Sequence, residues 1–143
     1  MELKHLAAYL PYGVKVDLTR KNYERKNVKL FGSVFGYNET TKEYWILKEG
    51  VTYAIEHIKP NLRPLSDLTK EIEENGEKFV PLNEILNCEY YGSSDLKYMV
   101  LNNNFYSIKG LGYETFQKLL EWKFDVFGLI EKGEAIDINT LDL

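Results

Sequence analysis

The chain has 143 residues, 44% hydrophobic and 28% charged, which is too apolar for disorder and near the common size of a single domain. Its net charge is −4 and its one cysteine, Cys88, leaves no partner for an internal disulfide and too few thiolates for a cysteine zinc site. No run approaches the roughly 20 apolar residues of a membrane span, and residues 1–11 are too short and too interrupted for a signal peptide, so a soluble, cytoplasmic protein is expected.

Leu3, Leu6, Ala7 and Leu10 follow a helical spacing, and Pro11 should end that helix. Residues 14–18 alternate strictly and read as a half-buried strand. Residues 19–27 are polar and read as a loop or hairpin connection. Strand character returns over 28–37, then over 43–48 and 51–58, so the first sixty residues form an antiparallel meander. Pro60 and Pro64 should break the sheet. Residues 65–72 carry helix-start signals, with Ser66 or Asp67 as cap and Asn75-Gly76 as terminator. Pro81 opens a short helix over 82–86.

Residues 96–101 and 105–108 flank Asn102-Asn103-Asn104 and read as a hairpin. Tyr113, Phe116, Leu120, Phe124 and Phe127 recur at three and four residues, the stripe of an amphipathic helix. Asp125 is a candidate cap for a further turn stapled by Phe124 and Leu129 and stopped by Gly133. Residues 135–139 alternate and suit an edge strand. The fold expected is α+β over one domain, 1–143. A small antiparallel sheet, the N-terminal meander plus a hairpin in the C-terminal half, packs with three to four helices.

Motifs that would carry chemistry are missing. No glycine-rich phosphate loop occurs, and Lys109-Gly110-Leu111-Gly112 lacks the spacing of a dinucleotide fingerprint. Neither His5 nor His57 has a second histidine or cysteine at ligand spacing, and Glu56-His57 falls on opposite faces if that segment is a strand. Cys88 lies between Asn87 and Glu89, whereas a nucleophilic cysteine wants a cation beside it. The acids Glu71, Glu73, Glu74, Glu77 and Asp137 read as a solvated face. Neither catalysis, a metal nor a cofactor is expected, although a site assembled only in the fold stays as an alternative.

The positive signal is charge. Residues 15–30 hold six basic and two acidic side chains, whereas residues 121–143 hold six acids and two lysines. Arg20, Lys21, Arg25, Lys26 and Lys29 bracket Tyr23, and such a pattern suits phosphates neutralised by cations beside a base stacked on the ring. The same stretch also suits contact with an acidic protein surface, or is a solvated loop.

Three blocks resemble a family of small phage and prophage proteins of Bacteroidetes: Leu10-Pro11-Tyr12-Gly13-Val14-Lys15, residues 58–72 with their Arg-Pro-Leu-Ser-Asp-Leu-Thr-Lys core, and residues 121–141. The resemblance spans nearly the whole chain. Lys123 stands where relatives often carry histidine, so no shared histidine chemistry follows. No catalytic role comes with the resemblance. It implies a viral context in a bacterial host and, by analogy, a binding protein acting on a host protein or ribonucleoprotein such as a CRISPR effector, as anti-CRISPR proteins do. The alternative is an accessory protein that binds RNA or single-stranded DNA through the basic segment.

Overall fold

The computed structural model describes residues 2–19, 25–30, 34–40, 43–48, 51–90, 92–105 and 107–141. The fold is α+β, and its residues gather into two compact units, Met1–Leu62 with Phe127–Leu143, and Arg63–Val126.

In the first unit, helix α1 (Leu3–Tyr9) buries Leu6 and Tyr9 and passes into a 3₁₀ turn at Leu10–Tyr12. Proline is tolerated there because the first turn has no N–H partner to lose. Phe127 anchors α1: its ring stacks on His5 at 4.6 Å and meets Tyr9 edge-on at 6.0 Å.

Strand β1 (Val14–Thr19) is the expected alternating strand. β2 (Arg25–Leu30) begins three residues earlier than its apolar residues suggest, because the ladder to β1 extends through Leu18↔Lys26 and Thr19↔Arg25. β3 (Val34–Asn38), β4 (Glu43–Lys48) and β5 (Val51–Ala54) form a separate antiparallel meander. A 3₁₀ turn at Ile55–His57, not strand as expected, leads to β6 (Ile58–Leu62).

Pro60 lies inside β6 and does not break the sheet. It faces Val16 of β1, while pairing on the other side, to β9 (Ile136–Asp137), starts only at Asn61. A strand accepts proline where no ladder partner needs its N–H. The sheet order is β2-β1-β6-β9, antiparallel except for β6 with β9. The segment 135–139 thus supplies an edge strand, two residues long.

The second unit reverses two expectations. Residues 65–72 are not a helix: a 3₁₀ turn at Leu65–Thr69 precedes the hairpin of β7 (Ile72–Glu74) and β8 (Glu77–Phe79). Asn75 and Gly76 have φ of 53° and 81°, and two successive positive φ values make the turn that best matches strand twist.

Residues 96–101 are not a hairpin strand but the end of α3 (Ser93–Leu101). Asn103 takes φ 47°, and the amides of Asn103 and Asn104 close onto the carbonyls of Val100 and Met99, the paired bonds of a left-handed helix stop.

Helix α2 (Pro81–Asn87) starts at its proline as expected and buries Leu82 and Ile85. α4 (Tyr113–Glu121) is shorter than its apolar stripe suggests and turned from it. Thr115, Leu119 and Trp122 are buried, whereas Tyr113 is exposed. Lys123 ends α4 at φ 60°, with its amide and that of Phe124 bonded to Leu120 and Leu119. Phe124 then bridges to Arg63, whose amide donates to the Lys123 carbonyl at 2.7 Å and whose carbonyl accepts from Asp125 at 2.8 Å. Asp125 therefore starts no helix, and residues 126–135 are turns and bends.

Candidate contact surfaces

Of the basic segment, Arg20, Lys21 and Tyr23 lie outside the described residues. Arg25 and Lys26 take the register positions opposite Thr19 and Leu18 in the β1–β2 ladder, and Lys29 stands opposite Lys15. Lys15 and Lys29 are both exposed. Beside them the Asn27 side-chain amide donates to Asp17 Oδ1 at 2.7 Å and to Asn61 Oδ1 at 2.8 Å. Asp17 and Asn61 are nearly buried, so this amide ties β2 across β1 to β6.

A second surface lies on the β3–β4 hairpin. Cross-strand partners in an antiparallel pair present their side chains together on one face. The register pairs Tyr37 with Tyr44, and the two rings lie 5.0 Å apart with 49% and 47% of each residue exposed. Further along the same face Ile46 and its partner Tyr53 are buried, so the tyrosines prolong an apolar stripe into solvent. Gly36 leaves room for the ring of its partner Trp45, which occupies the space a Cβ would need. At the turn Asn38 Oδ1 accepts from the Thr40 amide at 2.9 Å, fixing the chain beside Tyr37.

Comparison with known proteins finds no matching family model, no matching curated protein and no matching solved structure.

Among its described residues the second unit carries recesses on its surface. One, of about 650 Å³, runs beside α3 and is lined by Asp95, Tyr98, Met99, Asn102, Ser107 and Leu111. Tyr98 and Leu101, one turn apart on α3, are largely exposed at 70% and 74%. Another, of about 580 Å³, is lined by Glu74, Glu77, Phe79, Lys118, Glu121 and Trp122. Phe79 and Trp122 are 4.9 Å apart there, and Lys118 Nζ sits 5.6 Å from the Trp122 ring centre and 3.0 Å from Glu121. The Glu121 hydrogen bond holds the Lys118 ammonium above its usual range, against the opposing effect of burial.

On the wall of that recess Glu74 is gripped by two cations. Arg63 Nη2 lies 2.7 Å from Glu74 Oε1 and Lys123 Nζ lies 3.3 Å from Oε2. Arg63 also donates from Nε to the Trp122 carbonyl and from Nη2 to the Glu73 carbonyl. Glu74 is thus no part of a solvated acidic face. With its charge satisfied and its oxygens occupied, it serves to join the β7–β8 hairpin to the end of α4.

Cys88 is exposed at the C-terminus of α2. Its hydrogen bond with Tyr90 is the main cause that pushes the Tyr90 phenol above its usual range. His57 has Glu56 3.2 Å from Nε2, with the two side chains adjacent in a 3₁₀ turn and not on opposite strand faces. Among the described residues no group of three His, Cys, Asp or Glu side chains could hold a metal, and no helix is long and apolar enough to cross a membrane.

Tyr37 and Tyr44 escaped sequence reading, although a signal was there. Each stands one residue outside the Asn38–Glu43 pair, on either side of a polar stretch of sequence, and strands that pair across such a stretch bring the residues beside it opposite one another. The Arg63–Glu74–Lys123 cluster offers no local signal, because its members lie 11 and 49 residues apart.

Proposed function

We propose that this chain is a non-enzymatic interaction protein of phage or prophage origin, acting in the bacterial cytoplasm by covering a surface of a host nucleoprotein such as a CRISPR effector. The resemblance of three sequence blocks to phage and prophage proteins supports the origin. The observation that carries the mode of action is the Tyr37–Tyr44 pair, two touching aromatic rings half exposed on one hairpin face. Tyrosine gives a large contact area for few rotatable bonds and is enriched where binding energy concentrates. A cross-strand pair is also held rigid before the partner arrives, which lowers the ordering cost of association.

Affinity capture from the bacterial host at physiological salt tests this reading. The wild-type chain is expected to retain a stable protein or ribonucleoprotein partner. The double variant Tyr37→Thr/Tyr44→Thr keeps strand propensity and removes both rings. Losing about 2 kcal/mol at such an anchor weakens binding roughly 30-fold. Absence of any stable partner, or equal capture by the double variant, discards the reading.

A further inference from the structure

Register fixes what the β2-β1-β6 part of the four-stranded sheet shows on each side, because successive residues alternate faces and paired residues share one. Val14, Val16 and Leu18 pair with Leu30, Val28 and Lys26 of β2, and Val16 and Leu18 also pair with Pro60 and Ile58 of β6. The apolar members of that set are buried, apart from the half-buried Val28.

The opposite face carries Lys15, Asp17, Asn27, Lys29, Lys59 and Asn61. Lys15 faces Lys29, and Asp17 lies between Asn27 and Lys59. Lys15, Lys29 and Lys59 are exposed, whereas Asp17 is nearly buried and takes the Asn27 amide. The adjoining β9 adds Ile136 beside Asn61 and contributes no acid to this side.

The placement runs against the rest of the chain. Acids outnumber bases 22 to 18 overall, yet among the described residues here three lysines surround one shielded carboxylate. Lys15 and Lys29 stand directly opposite each other in the ladder, so the cations of this face are gathered closely and not scattered. The complement of such a face is a polyanion whose charges repeat at close spacing. Side chains on adjacent strands stand about 5 Å apart and diagonal ones about 7–8 Å, and a lysine stem lets each ammonium follow a neighbouring phosphate.

We propose that this face binds single-stranded nucleic acid through its phosphodiester backbone, with Lys15, Lys29 and Lys59 each neutralising a phosphate. It differs from the tyrosine hairpin in residues and in ligand, and stands whether or not a protein partner exists. A sheet face that presents exposed lysines suits a flexible strand, and phosphate contacts carry no base preference.

The test is fluorescence anisotropy of the full chain with labelled RNA and DNA oligonucleotides of about 16 nucleotides. Binding to one or both is expected, and the two arms show which strand is preferred. Affinity should fall as salt rises from about 50 to about 200 mM, with a log–log slope near −2 for three phosphates. The triple variant Lys15→Gln/Lys29→Gln/Lys59→Gln should lose at least about tenfold in affinity and flatten that slope. The matching triple lysine-to-arginine variant keeps the charge and should bind like wild type, which covers the case in which the glutamine variant fails to fold.

Three outcomes overturn the proposal. They are no binding of either oligonucleotide at low salt, unchanged binding by a folded glutamine variant, or equally tight, salt-dependent binding of polyglutamate. The Tyr37→Thr/Tyr44→Thr variant should still bind oligonucleotide, so the two proposals fail separately.

Discussion

Arg63 and Glu74 form a shielded ion pair, Nη2 to Oε1 at 2.7 Å, with only 12% and 15% of their side chains exposed. Lys123 holds the second carboxylate oxygen, so one acid serves two cations. Replacing Glu74 by Gln leaves both cations sheltered without an anion. Breaking a fully buried pair this way costs 3–5 kcal/mol, and residual solvent access lowers the expectation to about 2 kcal/mol. A fall in urea midpoint at unchanged slope is the expected readout. A variant as stable as wild type would show that the cluster is solvated in solution.

The Lys123 backbone bears on the same cluster. Lysine at φ 60° pays a backbone cost that glycine does not. Lys123→Gly and Lys123→Ala both remove the ammonium from Glu74, so the comparison between them isolates backbone strain. The glycine variant should be more stable than the alanine one by about 1 kcal/mol. Equal stabilities in thermal unfolding would show that α4 does not stop at a left-handed residue.

These positions also show what the sequence could reveal. Alternation found β1, and the prolines located the end of α1 and the start of α2, because those signals are local and have one meaning. Asn75-Gly76 and Asn102-Asn103-Asn104 were legible as places of positive φ, but a positive φ ends a helix or turns a hairpin equally well. The deciding feature is what packs on either side: Ile72 and Phe79 face each other across one, while Leu96 is buried on a helix before the other. At the contact surfaces, charge was visible in residues 15–30. The pairing of Lys15 with Lys29 and the arrival of Lys59 beside Asp17 needed the register.

Gly36 and Trp45 give a third prediction. The indole lies against Gly36 where a methyl would stand, so Gly36→Ala must displace the ring or part the strands. Overpacking of this kind costs about 1–3 kcal/mol. Trp45 emission should shift to the red as the ring gains water, measured in a Trp122→Phe background to remove the other indole. An unshifted spectrum and unchanged stability would mean that the ring does not rest on Gly36.

Tyr90 offers a signed series at α2 and α4. Its phenol is held above the usual range chiefly by the hydrogen bond with Cys88, and the charges of Cys88 and Glu114 act the same way while Lys118 opposes them. A raised phenol stays protonated to higher pH, so removing a raising partner must move its titration down and removing the lowering one must move it up. Cys88→Ala should therefore bring the Tyr90 midpoint down, and Glu114→Gln should move it the same way by less. Lys118→Met should move it up. Carbon-13 labelling of the tyrosine ring separates Tyr90 from the other ten tyrosines and reads each midpoint by NMR. A Cys88→Ala midpoint equal to wild type would remove the thiol as the cause. A downward move in Lys118→Met would show that the charge of the α4 lysine does not act on Tyr90.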